Sequence, residues 1–156
     1  MTIQTDLQSI ELLNNEWQLL STSLKTLQLS VEKCKAIGVK KNYSFTEQES
    51  LDSLTSKFNR SSDFYTQKVL RSTWILLHEG FAPFIDMMNK MEKLNIIHSG
   101  EQLFEIRDLR NTIAHEYLPD ALIDLIPEVI HYSAILEDNI RTTEEFLSAR
   151  KWLLNL

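Results

Sequence analysis

Apolar residues recur along this chain at intervals of three and four. Ile10, Leu13, Trp17, Leu20, Leu24, Leu27, Val31 and Cys34 form the longest such series, the stripe of one long bundle helix. Because the spacing averages near 3.5, a coiled-coil reading stays open beside it. Gly38 can supply the left-handed conformation that ends the helix, and Lys40-Lys41-Asn42-Tyr43 makes a short polar connection. Ser44 or Thr46, followed three residues later by Glu47 or Glu49, has the capping-box pattern that opens a second helix.

The second stripe runs through Leu51, Leu54, Phe58, Tyr65, Val69 and Leu76. It is interrupted by Asn59-Arg60-Ser61-Ser62-Asp63, which reads as a solvated stretch, a kink or part of a cleft wall. Gly80 is expected to end this helix, and Pro83 suits the first turn of a shorter one carrying Phe84, Met87, Met88, Met91 and Leu94. The methionines there read as core fillers. Ser99 with Gln102 predicts a further capping box, opening a helix whose apolar face holds Leu103, Ile106, Leu109 and Ile113 and which Leu118-Pro119 stops. The last stripe is Leu125, Val129, Ser133, Leu136, Ile140 and Leu147, with Trp152 and Leu153 beyond it. An N-cap at Asp124 would put Pro127 in its first turn. The pattern predicts an all-α, antiparallel up-and-down bundle of about five helices.

Composition narrows the picture. With 156 residues the default is one domain over the whole chain, 1–156. Three Gly and three Pro leave little turn chemistry, which disfavours a β-sandwich and suits long helices. The one cysteine, Cys34, has no partner within the chain and lies on the first core stripe, so it reads as a small buried hydrophobe. No apolar stretch has signal or membrane length, and a cytoplasmic, soluble protein is expected. A formal net charge of −6 argues against a surface that coats nucleic acid through general basicity, but leaves room for a local site. Lys33, Lys35, Lys40 and Lys41 cluster near the first break and read as a solvated helix end.

The concentrated chemistry lies in Arg107-Asp108-Leu109-Arg110-Asn111-Thr112-Ile113-Ala114-His115-Glu116-Tyr117. At about 100° per residue, Arg110 and Tyr117 fall on the same face as the apolar stripe. An arginine stem can lie along such a face with its head in water. His115, with Asn111 one turn before it, adds a group that can move a proton beside one that can bind an anion.

This cluster resembles the signature of the HEPN superfamily: Arg, a polar residue, a short gap and His, here Arg110-Asn111, three residues and His115. Glu116-Tyr117 extends the likeness to the Arg-x4-His-x-Tyr form of HepT-like toxins, which are encoded beside a minimal nucleotidyltransferase antitoxin of the MntA type. Gln67 to Arg71 and Phe84 to Glu92 resemble the preceding helices of such proteins, and the likeness covers about Phe58 to Pro119. It implies a HEPN-like homodimer and a toxin that cleaves RNA, with a cognate nucleotidyltransferase as partner. It further implies Tyr117 as the acceptor of adenylylation. Read from its own chemistry, Tyr117 is equally a core or interface aromatic.

Metal-independent RNA cleavage needs a base for the 2′-hydroxyl, an acid for the leaving oxygen and positive charge on the phosphorane-like transition state. Histidine, with a reference pKa of about 6.5, can serve as acid or base, and a guanidinium can hold a phosphate bidentately. The catalytic candidates are therefore Arg110 and His115, with Asn111 and Arg107 as supporting RNA-binding residues and no cofactor or metal. A straight helix puts Arg110 and His115 about 140° apart, so either the helix unwinds near Ala114 or two protomers share one cleft.

Two other classes compete. A non-catalytic binding subunit of a nucleotidyltransferase would use the same fold. A carboxylate-bridged metal bundle would need two Glu-x-x-His units, and only Glu128 to His131 has that spacing. His78, His98 and His131 read as helix-end or flanking histidines, and Trp17, Trp74 and Trp152 as packing residues.

Overall fold

The computed structural model describes residues 3–154. Its elements are α1 (Ile3–Ile37), α2 (Phe45–Asp63), a π-helical segment (Phe64–Val69), α3 (Leu70–Leu76), α4 (Phe84–Lys93), α5 (Gly100–His115), α6 (Pro119–Asp124) and α7 (Ile126–Ala149). The protein is an all-α helical bundle, and no strand occurs among the described residues.

Each stripe read from the sequence faces one shared core. Leu13, Leu20 and Leu27 of α1 are buried with Leu54 and Phe58 of α2, Leu103 and Ile106 of α5, and Val129, Leu136 and Leu147 of α7. Helix directions follow from cross-helix bonds. Cys34 Sγ contacts the Ser50 carbonyl at 3.5 Å, Ser23 and Ser61 hydroxyls meet at 2.8 Å, and Ser72 donates to Glu16. As α1 is followed backward the partner moves forward, so α1 is antiparallel to the rod formed by α2, the π segment and α3. Asn14 Nδ2 donates to the Trp152 carbonyl at 2.8 Å, which brings the start of α1 to the chain beyond α7. Cys34 is buried as expected, and that burial pushes its thiol pKa up.

Local chemistry accounts for most of the ends. Gly38 takes φ 71 after α1, a conformation with little penalty only for glycine. Ser44 forms the full capping box with Glu47, whose carboxylate also pairs with Lys40. Ser99 accepts from the Gln102 amide at 3.2 Å, but the box is half built: Gln102 Oε1 takes Asn139 Nδ2 instead, and Asn139 Oδ1 accepts from the His98 and Ser99 amides.

Several expected boundaries move. The second stripe does not break at Asn59–Asp63; it continues into a π turn, in which the Leu70 N–H donates to the Tyr65 carbonyl five residues back. Tyr65 and Val69, four residues apart, are both fully buried there. The rod ends at Leu76, with His78 rather than Gly80 taking the first left-handed position (φ 57), while Gly80 follows at φ 75. Pro119 does not stop α5, which ends at His115; it opens the short helix α6. Asp124 is therefore the last residue of α6, and Leu125 is the N-cap of α7, although Pro127 still falls in the first turn, where no partner is lost. Among the described residues the bundle divides into seven α-helical stretches and the π segment, since the second of the expected long helices changes its winding along one continuous rod and the α5–α7 connection folds into the short α6.

The polar core fastens the elements that carry the candidate site. Tyr65 hydroxyl bonds Thr143 Oγ1 at 2.7 Å, and Thr143 Oγ1 donates to the Ile96 carbonyl at 2.7 Å. Burial drives the Tyr65 phenol pKa well above its ordinary value, so it remains a neutral donor. Asn139, fully buried, makes three bonds that tie the α4–α5 turn and Gln102 to α7, and a fourth to the Ile135 carbonyl within α7. Glu105 accepts from the Tyr132 hydroxyl at 2.8 Å, which raises the phenol pKa and adds a second tie between α5 and α7. No described helix is long and apolar enough to cross a membrane.

Candidate functional site

Helix α5 brings the motif to the surface in two separate settings. Its apolar residues Leu103, Ile106, Leu109 and Ile113 are buried, as their spacing requires. Arg110 lies at the edge of that face, half-buried. Its Nε and Nη2 groups donate to the two carboxylate oxygens of Asp63 at 2.9 and 2.8 Å, a bidentate fork. Donation to the Asp63 carboxylate raises the guanidinium pKa, so the charge is secure. Of the five N–H donors of an arginine, this pairing uses two and leaves three. Asn59 Nδ2 also bonds the Arg110 carbonyl, at 3.4 Å.

Asp63, Asn59 and Ser62 come from the polar run Asn59–Asp63 at the end of α2. Ser62 and Asp63 form part of a cleft wall, and the π segment directly after them continues it. π turns often mark functional sites because the added residue re-aims side chains. Here the segment's Thr66 and Gln67 border, with Arg71 of α3 and Arg107, Arg110 and Asn111 of α5, a cavity of about 310 Å³. Phe84 of α4 closes one side, with the Arg107 guanidinium 4.6 Å from its ring centroid. Arg107, Arg110 and Asn111 are thus brought together as sequence spacing suggested. Asp63 was not identified from the sequence. Its only signal was the charged end of the polar run, opposite an arginine whose place on an apolar face called for a partner.

His115 is elsewhere. It is exposed in the last turn of α5 and borders neither this cavity nor the neighbouring groove. The helix does not unwind at Ala114; it carries Arg110 and His115 to its last residue and ends there, Glu116 being extended at φ −89 and ψ 121. Tyr117 consequently leaves the apolar face on which helical counting placed it and is 86% exposed. It lines a groove of about 460 Å³ with Phe45, Leu118, Pro119, Leu122 and Ile126. Phe45 and Leu118 are also largely exposed.

The other histidines and the tryptophans have ordinary settings. His78 Nε2 lies 3.3 Å from Asp6 Oδ1, and His131 is exposed with its ring against Tyr132. Trp17 and Trp74 are buried, and Trp152 packs edge-on to Phe146. Among the described residues, no three of His, Cys, Asp and Glu gather as a metal site.

The chain therefore offers a charged guanidinium held by Asp63 over a cationic cavity, an exposed imidazole and an accessible phenol beside an apolar groove. The first can bind an anion and the second can exchange a proton, but they do not converge within one chain. No family model, curated protein or solved structure matches the chain.

Proposed function

We propose that this chain is a HEPN-type, HepT-like toxin: a cytoplasmic, metal-independent endoribonuclease. It would work as a homodimer and be held in check by a nucleotidyltransferase of the MntA type. The observation that carries the reading is Arg110, kept charged and oriented by Asp63 over a cavity, with His115 exposed on the same helix. A buried or loosely held arginine would suit scaffold duty alone. This one retains three N–H donors beside open space.

A two-fold pairing along α5 would bring His115 of each protomer toward the Arg110 cavity of the other. In such a cleft one imidazole accepts the 2′-hydroxyl proton as that oxygen attacks phosphorus. The P–O5′ bond breaks, and an imidazolium returns a proton to the leaving oxygen. The products are a 2′,3′-cyclic phosphate and a 5′-hydroxyl. Arg110 stabilises the charge on the non-bridging oxygens, and Asn111 with Arg107 holds the strand. Tyr117 is accessible for adenylylation, which would add bulk and negative charge near the groove.

A second reading has its own support. The exposed set Phe45, Tyr117 and Leu118 beside an apolar groove suits docking of a partner, as a non-catalytic subunit of a nucleotidyltransferase would need. Cleavage of mixed RNA in EDTA by the parent and by Arg110→Ala/His115→Ala protein of equal helicity decides between them. Cyclic-phosphate ends from the parent alone support the ribonuclease. No cleavage by either protein removes it and leaves the docking subunit.

A further inference from the structure

The cavity beside Arg110 carries more than the motif requires. Arg71, Arg107 and Arg110 face Asp63 as the sole carboxylate in its wall, a local excess of positive charge on a chain of net charge −6. Among the described residues, no carboxylate lies within ion-pair distance of Arg71 or Arg107. Low-dielectric walls focus such a field and raise the local concentration of anions.

A second, independent observation is Ser62. It is 2% exposed, it forms part of the cavity wall, and its hydroxyl has no hydrogen-bond partner. Buried helical hydroxyls ordinarily bond the carbonyl four residues back. Thr73 and Ser133 do so here, at 2.8 and 2.6 Å. Ser62 does not. An unpaired buried hydroxyl in a residue that shares a cavity wall with three arginines is a donor without its acceptor.

We propose that this cavity is a phosphate-binding subsite, in which Arg71, Arg107 and the free donors of Arg110 surround a phosphate and the Ser62 hydroxyl donates to it. Guanidinium groups match phosphate oxygens in fork geometry. At about 310 Å³ the space exceeds a bare ion and suits a phosphate carried on a larger group, a nucleoside. The phosphate belongs to an RNA strand or to a free mononucleotide. For the strand, the subsite extends the cleft of the proposed ribonuclease and rests on that reading.

Titration calorimetry on the intact protein tests this with three probes: inorganic phosphate, AMP, and a short 2′-O-methyl RNA that cannot be cleaved. The proteins are the parent, Arg71→Gln, Ser62→Ala, and Lys68→Gln as a control that removes a nearby charge outside the cavity wall. The expected result is saturable binding of AMP or of the RNA, weakened about tenfold by Arg71→Gln and severalfold by Ser62→Ala. Lys68→Gln should bind as the parent does. Affinity for both probes marks a free nucleotide as a ligand, and affinity for the RNA alone marks the strand. Saturable binding by a parent that never cuts RNA supports the subsite and removes the ribonuclease reading. The subsite is overturned if no probe binds, if only inorganic phosphate binds, or if Arg71→Gln binds as tightly as the parent. A parent that cuts RNA under any of these results leaves the ribonuclease standing without the subsite.

Discussion

The two ends of α5 are built on opposite principles. At the first end, Ser99 caps the helix, Asn139 reaches in from α7 with bonds to both sides of the cap, and Gln102 is taken up in the same network. At the last end, His115 and Tyr117 are exposed, and the Leu118 amide turns back only to the Glu116 carboxylate, at 3.0 Å. Between them Arg110 is gripped by Asp63 but keeps free donors. The contrast teaches that the helix is anchored where its polar groups are satisfied by protein. Where they are left to solvent, they are available to a ligand or partner. A rigid anchored helix is also a better platform for reactive groups than a loop, since it fixes their spacing.

The sharpest way to test this division is to remove one group from each end. If the proposed ribonuclease reading holds, replacing His115 by alanine should lower RNA cleavage by about 10²–10⁴-fold, the range for losing a general acid or base. It should move stability by less than about 0.5 kcal/mol, as for an exposed site. Single-turnover cleavage and urea unfolding read the two effects, and a large stability loss would sink the comparison. Asn139→Ala should do the reverse. Removing the fully buried Asn139 side chain and orphaning the part-buried His98 and Ser99 amides and Gln102 should cost about 2–4 kcal/mol, seen as a lowered urea midpoint. Any loss of cleavage should then disappear under conditions where the variant is fully folded.

Asp63→Asn probes the middle of the helix. Both partners of the Arg110 pair are about one-third exposed, so solvent screening limits the stability cost to about 1 kcal/mol. A double-mutant cycle with Arg110→Gln should recover a coupling of that size, diminishing at high salt. A coupling near zero would mean that the fork does not orient Arg110.

An effect of similar size concerns the π segment that shapes the cavity. Tyr65 has an ordinary pKa of 10.0, and burial raises it in the folded chain. The folded state therefore holds this proton more tightly than the unfolded state. Its contribution is fully present below about pH 10 and is lost as pH rises toward the folded value. Tyr65→Phe should cost about 1 kcal/mol near neutrality through the lost bond to Thr143. It should also lessen the decline in stability above about pH 10. Urea midpoints at neutral and alkaline pH measure both. Equal alkaline slopes in the two proteins would show that Tyr65 does not contribute to that decline. Tyr132 and Cys34, whose pKa values are raised as well, would still contribute to it.

The amino-acid sequence alone determined the long helices, their buried stripes and the ends at Gly38 and Ser44, because these depend on residues within a turn or two of one another. Leu103, Ile106, Leu109 and Ile113 had to share a face. Ser44 with Glu47 had to cap, Cys34 had to point inward, and Arg107, Arg110 and Asn111 had to emerge close together. Tertiary structure decided the rest. Asp63 grips Arg110 across 47 positions, and Asn139 takes Gln102 from the expected capping box across 37. The polar run became a cavity wall, and Tyr117 left the helix that counting had assigned to it. A period of 3.6 states which face a residue occupies. It carries no information about which polar group from another helix will satisfy it, since that choice is made only when the packed core excludes water and each buried donor must find an acceptor.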